Sequence, residues 1–119
     1  MSNAPLFHLA ALDEWLADVA GAYAPATFAS ENFIHCAYRE QLAGVYARYY
    51  AGRTDLVVLE IDPAVLRTRV GAAALRDEPS AVTGELFPHV YAALPRDAVR
   101  ATHAITELRP TSGPSRRAR

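Results

Sequence analysis

Leu56-Val57-Val58-Leu59-Glu60-Ile61, followed by Asp62-Pro63, decides how this chain reads. The apolar run lacks the polar alternation of a half-solvated strand. It therefore predicts a strand buried on both faces, in a central sheet position. Asp62-Pro63 ends it, and Pro63 suits the first turn of a short helix over 64–67 with Asp62 as N-cap.

On the N-terminal side, Leu6-Phe7-His8-Leu9-Ala10 predicts a short strand, with His8 facing away from Phe7 and Leu9. Leu12, Trp15, Leu16 and Val19 recur at helical spacing and predict a helix over 12–19. Residues 23–30 show few periodic features and read as a loop leading to a short strand. Phe33-Ile34-His35-Cys36 predicts a second short extended piece. A second helix is expected over 38–50, with Leu42, Val45, Tyr46 and Tyr49 as its inner stripe and Gly44 marking close packing.

On the C-terminal side, 70–75 reads as a strand and Asp77-Glu78-Pro79-Ser80 as a turn. Gly84-Glu85-Leu86-Phe87-Pro88-His89-Val90-Tyr91 predicts an extended segment. Alternation would put Glu85, Phe87, His89 and Tyr91 on one face and Leu86, Pro88 and Val90 against the core. Pro95 enters a helical turn ending at Val99, and 101–108 reads as the last strand. Short strands without regular β-α alternation, with the two main helices in the first half, predict an α+β domain over residues 1–109. Its sheet should be antiparallel or mixed. Residues 110–119 read as a disordered basic tail.

Composition bounds the function. The 119 residues are 51% hydrophobic and 21% charged, which is ordinary for one globular domain. Net charge is −1, and residues 1–114 hold nine Arg against thirteen acids, so no nucleic-acid partner is expected. All twelve basic residues are Arg, which excludes a lysine Schiff base. The one cysteine, Cys36, forms no internal disulfide, and no apolar run reaches membrane-spanning length. A cytoplasmic protein without a membrane partner is expected.

The chemistry-bearing residues are His8, His35 and His89, each set in an apolar strand, with Glu85 beside them. A lone histidine in such a setting is more often a hydrogen-bonded core residue. Three of them with a carboxylate raise the alternative of a shared site. Phe33 and Tyr91 would add aromatic walls, and Arg53, in Ala-Gly-Arg-Thr-Asp, is placed to meet a phosphate. His8, His35 and His89 with Glu85 or Cys36 satisfy a zinc site by residue type. No short ligand spacing supports it, so no metal is expected. Adjacent strand positions point Cys36 away from His35, which predicts an inert thiol.

Taken in order, Phe7-His8, Trp15, Phe33-Ile34-His35-Cys36, Tyr49-Tyr50-Ala51-Gly52-Arg53-Thr54-Asp55, the strand 56–61, Phe87-Pro88-His89-Val90-Tyr91 and Leu94-Pro95 carry a resemblance. The chain resembles the DUF952 family, small bacterial proteins without an established activity. That family is held to be distantly similar to the ADP-ribosyltransferase-like fold, which implies a bent, split β-sheet gripping NAD or a related nucleotide. The resemblance implies that His8 holds the ligand's ribose and that Glu85, or Glu78 in reserve, directs transfer. His35 or Phe33 stands where a stacking tyrosine is usual, and His89 has no counterpart. The competing expectations are a non-catalytic module for a small anion or metabolite, and a homodimeric interaction protein joined through the helix over 38–50.

Overall fold

The structure is a computed structural model that describes residues 3–17 and 21–108. Its centre is a four-stranded sheet in the order β4-β1-β5-β9, comprising Ala37–Tyr38, Leu6–Ala11, Leu56–Ile61 and Val99–Ala104. A second sheet runs β3-β7-β6, from Ile34–His35, Leu86–Val90 and Leu75–Pro79. A two-stranded ribbon pairs β2, Ala22–Tyr23, with β8, Leu94–Pro95. Every pairing among the described residues is antiparallel. The helices are α1 (Leu12–Ala17), α2 (Phe28–Glu31), α3 (Leu42–Tyr49) and α4 (Pro63–Val70).

β5 is interior, as its apolar run predicts. It pairs with β1 through Leu9↔Val58 and His8↔Leu59, and with β9 through Val58↔His103, with a register shift at Glu60/Ile61. Two cores form on the two faces of this sheet. Leu6, Ala10, Leu59 and Ile61 face one, with Tyr23, Ile34, Leu66, Val90 and Leu94. Phe7, Leu9, Leu56 and Val58 face the other, with Leu42, Tyr46 and Ile105. A strand with a core on each side has no solvated face, so it needs no polar alternation.

The sheet is split where Cys36 separates β3 from β4. Ile34 and His35 pair with β7, while Ala37 and Tyr38 pair with β1. The Cys36 N–H donates to the Pro88 carbonyl at 3.0 Å, so no amide is lost at the crossing. The short run from Ile34 to Tyr38 thus ties the two sheets together. The α4 start follows the sequence reading: the Asp62 carboxylate accepts from the Ala64 and Val65 amides at 2.9 and 3.4 Å.

Several local expectations are corrected. Residues 23–30 are not a plain loop but hold the end of β2 and most of α2. Asn32, at φ 69°, closes α2 in the left-handed region its side chain tolerates. The helix expected from Tyr38 starts at Leu42, because Tyr38 is held in β4 and Arg39–Gln41 forms a 3-10 turn. Tyr49 on its expected inner stripe is exposed, and a Cβ on Gly44 would meet open space, so no close packing explains that glycine. On α1, Leu12 and Leu16 are exposed and Trp15 alone packs on the core; Val19 lies outside the described residues.

Of the strand expected over 70–75 only Leu75 is strand, as the first residue of β6; the rest is the end of α4, Gly71 at φ 91° and a 3-10 turn over Ala72–Ala74. The turn expected over 77–80 is strand for Asp77, Glu78 and Pro79. Its sequence is charged and proline-terminated, so local propensity opposes it, and pairing with β7 overrides that propensity. The real reversal comes later, where the Ser80 carbonyl accepts the Gly84 amide and Gly84 takes φ 77°. The last strand stops at Ala104, and Ile105–Leu108 is a 3-10 turn. The tail expected over 110–119 lies outside the described residues.

Candidate functional site

The second sheet carries the chemistry. Directly opposed residues of an antiparallel pair project to the same face. His89 on β7 lies opposite His35 on β3 and opposite Arg76 on β6. The three side chains form a row across the sheet, and Glu78, two residues beyond Arg76, shares their face. Phe33 and Tyr91 extend the face just outside β3 and β7.

The rings pack tightly. Phe33 stacks on His89 with centroids 4.2 Å apart and planes inclined 24°. Tyr91 lies 5.1 Å from Phe33, and His35 meets His89 edge-on at 5.2 Å. The Arg76 guanidinium sits over the Tyr91 ring at 4.4 Å.

One carboxylate oxygen organises the group. Glu78 Oε1 accepts from the Tyr91 hydroxyl at 2.6 Å and from His89 Nδ1 at 2.7 Å. Those two bonds, the tyrosine's first, hold the Glu78 carboxyl below its usual range, and the same bond pushes the Tyr91 phenol up. An ionised carboxylate on Nδ1 makes that nitrogen the N–H donor. In the neutral ring Nε2 then carries the lone pair, and no partner engages it among the described residues. His35 makes a parallel arrangement with its other nitrogen, Nε2 to Glu31 Oε1 at 3.0 Å.

His8 sits behind this face. Its Nδ1 donates to the His35 carbonyl at 2.6 Å, and its Nε2 accepts from the Tyr23 hydroxyl at 3.1 Å. Both nitrogens are therefore occupied inside the first core. Burial, partly offset by the bond to the His35 carbonyl, lowers the ring's pKa to about 4, so it is neutral at pH 7. Burial likewise raises the Tyr23 phenol and pushes the Cys36 thiol up to about 12.

The expected meeting of His8, His35, Glu85 and His89 in one hollow is thus corrected. His35 and His89 meet. His8 reaches only the backbone of His35. Glu85 precedes β7 and accepts from the Gln41 amide at 3.0 Å, and Glu78 takes the place beside His89. Of the residues expected opposite the His89 face, Pro88 and Val90 do turn to the core, whereas Leu86 is exposed; Phe87, expected beside His89, packs on the second core. Arg53 is elsewhere, in a two-bond pair with Asp55 at 2.9 and 2.5 Å. His103 is bonded to Glu60 at 2.7 Å.

Arg76 and Glu31 had no place in the sequence reading. An Arg-x-Glu spacing over 76–78 would have put both on one face, had β6 been read as a strand. Among the described residues no three His, Cys, Asp or Glu side chains are arranged to hold a metal ion. A cleft of about 180 Å³ lies between Leu6, Tyr38, Pro63, Arg67, Leu75 and Asp77. None of the aromatic-imidazole residues lines it. Asp77 points to the opposite face of β6 from Glu78 and already accepts from the Tyr38 hydroxyl at 2.5 Å. The candidate site is therefore placed on the His89 face, where unengaged ring nitrogen, carboxylate and aromatic surface coincide.

This is a small α+β protein with split antiparallel sheets and a carboxylate-imidazole-aromatic face on the smaller one. The family described as "Protein of unknown function (DUF952)" matches residues 9–102, and the chain belongs to that family. The crystal structure of protein CC0527 from Caulobacter crescentus has a TM-score of 0.72, at 26% identity over 84% of each chain. The solution structure of CC0527 gives 0.70, at 25% identity, covering 85% of this chain and 84% of that one. No curated protein matches the chain. Among the described residues no helix is long and apolar enough to cross a membrane.

Proposed function

We propose that the face around Glu78 and His89 is a nucleotide site of the ADP-ribosyltransferase-like kind, taking NAD or a related ribose phosphate. The observation that carries this reading is the double acceptance by Glu78 Oε1 beside the Phe33, His89 and Tyr91 rings. Aromatic faces suit a planar base. An ionised carboxylate suits the positive charge that develops on a ribose losing its base. Glu78, in place of Glu85, has that role. His89 Nε2, its lone pair set by Glu78 on the far nitrogen, is the proton acceptor.

In such a transfer the C1′–N bond of NAD breaks and nicotinamide leaves as the neutral base with the bonding pair. The acceptor's lone pair bonds to C1′, and its proton passes to His89 Nε2. His8 has a positioning part: it holds the His35 backbone and does not reach the ligand.

The test is incubation with NAD and mass spectrometry for nicotinamide release, with a thermal-shift series over NAD and ADP-ribose. Absence of turnover together with absence of a shift for both compounds would remove the proposal. The exposure of His35 favours a second reading, binding without transfer, because an open face does not exclude water. A thermal shift without nicotinamide release would select it.

A further inference from the structure

Arg76 is the cation of this face, and its surroundings leave its charge available. Its Nε donates to the Ala73 carbonyl at 3.0 Å, and its guanidinium lies on the Tyr91 ring. Those two contacts fix the plane of the group and its position above the face. The carboxylate on its own face of β6 is Glu78, whose charge Arg76 feels and whose Oε1 is committed to Tyr91 and His89. Arg76 makes no ion pair with it, whereas Arg53, Arg69 and Arg100 are paired with Asp55, Asp97 and Glu60. No partner engages either Nη of Arg76 among the described residues. A guanidinium held by one bond through Nε and by an aromatic ring beneath keeps its outer N–H edge for a two-oxygen acceptor.

We infer that Arg76 is the phosphate-binding residue of this site, so that the ligand carries a phosphate or pyrophosphate lying over β6 while its planar part meets Phe33 and Tyr91. The inference rests on the nucleotide reading for the planar part alone. Register supports the layout. Arg76 lies opposite His89, so the cation and the imidazole are nearest neighbours across β6 and β7, and one ligand can touch both.

The experiment is calorimetric titration of wild-type protein, Arg76→Gln and Arg76→Lys with ADP-ribose, adenosine and inorganic pyrophosphate. Near-ultraviolet circular dichroism checks that each variant is folded. Arg76→Gln is expected to weaken ADP-ribose and pyrophosphate about tenfold or more, with adenosine unchanged, and Arg76→Lys to recover part of the loss. Should Arg76→Gln not fold, a smaller but measurable drop in Arg76→Lys supports the inference in its place. Equal affinity for pyrophosphate and ADP-ribose in wild type and the folded variants overturns the inference and leaves the nucleotide reading standing. Pyrophosphate binding that depends on Arg76, without any affinity for ADP-ribose or adenosine, keeps the phosphate assignment and removes the nucleotide reading. No binding of any of the three overturns both.

Discussion

Glu78 Oε1 lies 2.7 Å from His89 Nδ1 across two neighbouring antiparallel strands, and the imidazole is almost wholly buried while its partner is a third exposed. The bond selects one tautomer and turns the other ring nitrogen into an acceptor. Glu85, closer to His89 in sequence, has no part in it.

Glu78→Gln should therefore weaken nucleotide binding by about tenfold, the loss of a charge-assisted bond and its orientation. Glu85→Gln should leave it unchanged. The same calorimetric titration with ADP-ribose decides between them, and an equal effect of the two substitutions counts against the site as drawn. Nitrogen shifts of His89 should report the Nδ1–H tautomer in wild type and a mixture in Glu78→Gln.

Glu78 also gives stability a pH dependence. Its carboxyl titrates below the ordinary value of 4.5 in the folded protein. The contribution is fully present above about pH 4.5 and is lost as pH falls through the depressed folded value. Urea unfolding at a series of pH values should show a smaller acid loss in Glu78→Gln than in wild type.

His8 acts in a different window. Its folded value is about 4, against an ordinary 6.5. Both states are neutral above pH 6.5. Between 6.5 and 4 the unfolded chain takes up a proton that the buried ring refuses, so stability falls with pH, by up to roughly 3 kcal/mol. His8→Phe removes that slope and leaves the Tyr23 hydroxyl without its partner, at a cost of about 1–3 kcal/mol at pH 7. A pH slope unchanged in His8→Phe would contradict the buried neutral ring.

Cys36 is 5% exposed and its thiol is raised to about 12. A thiol reagent at pH 8 should modify it only as fast as the protein opens, with full reaction in denaturant. Rapid native labelling would show that the crossing between the two sheets is loose.

Asp62→Ala removes the acceptor for two amides at the start of α4 and should cost about 1 kcal/mol in chemical denaturation. Asp62→Asn should restore most of it. No difference between the two would mean that Pro63 alone sets the helix start.

Motifs along the chain already carried the family, the α+β class, β1, β5 and the Asp62 cap. Each is written in neighbouring residues: an unbroken apolar run, a strand-length alternation, an Asp-Pro pair. The face of His89 and Tyr91 was also legible, because alternation along one strand needs no partner. What the sequence could not determine was which strand lies beside that face. β6 is charged and proline-terminated, and exists because β7 pairs with it. The choice of Glu78 over Glu85 and the arrival of Arg76 follow from that pairing, and the diversion of His8 into the core follows from the packing of β1 against Tyr23 and the His35 backbone. Strand register is set by contacts between residues distant in sequence, and a single row of side chains carries no record of its neighbour.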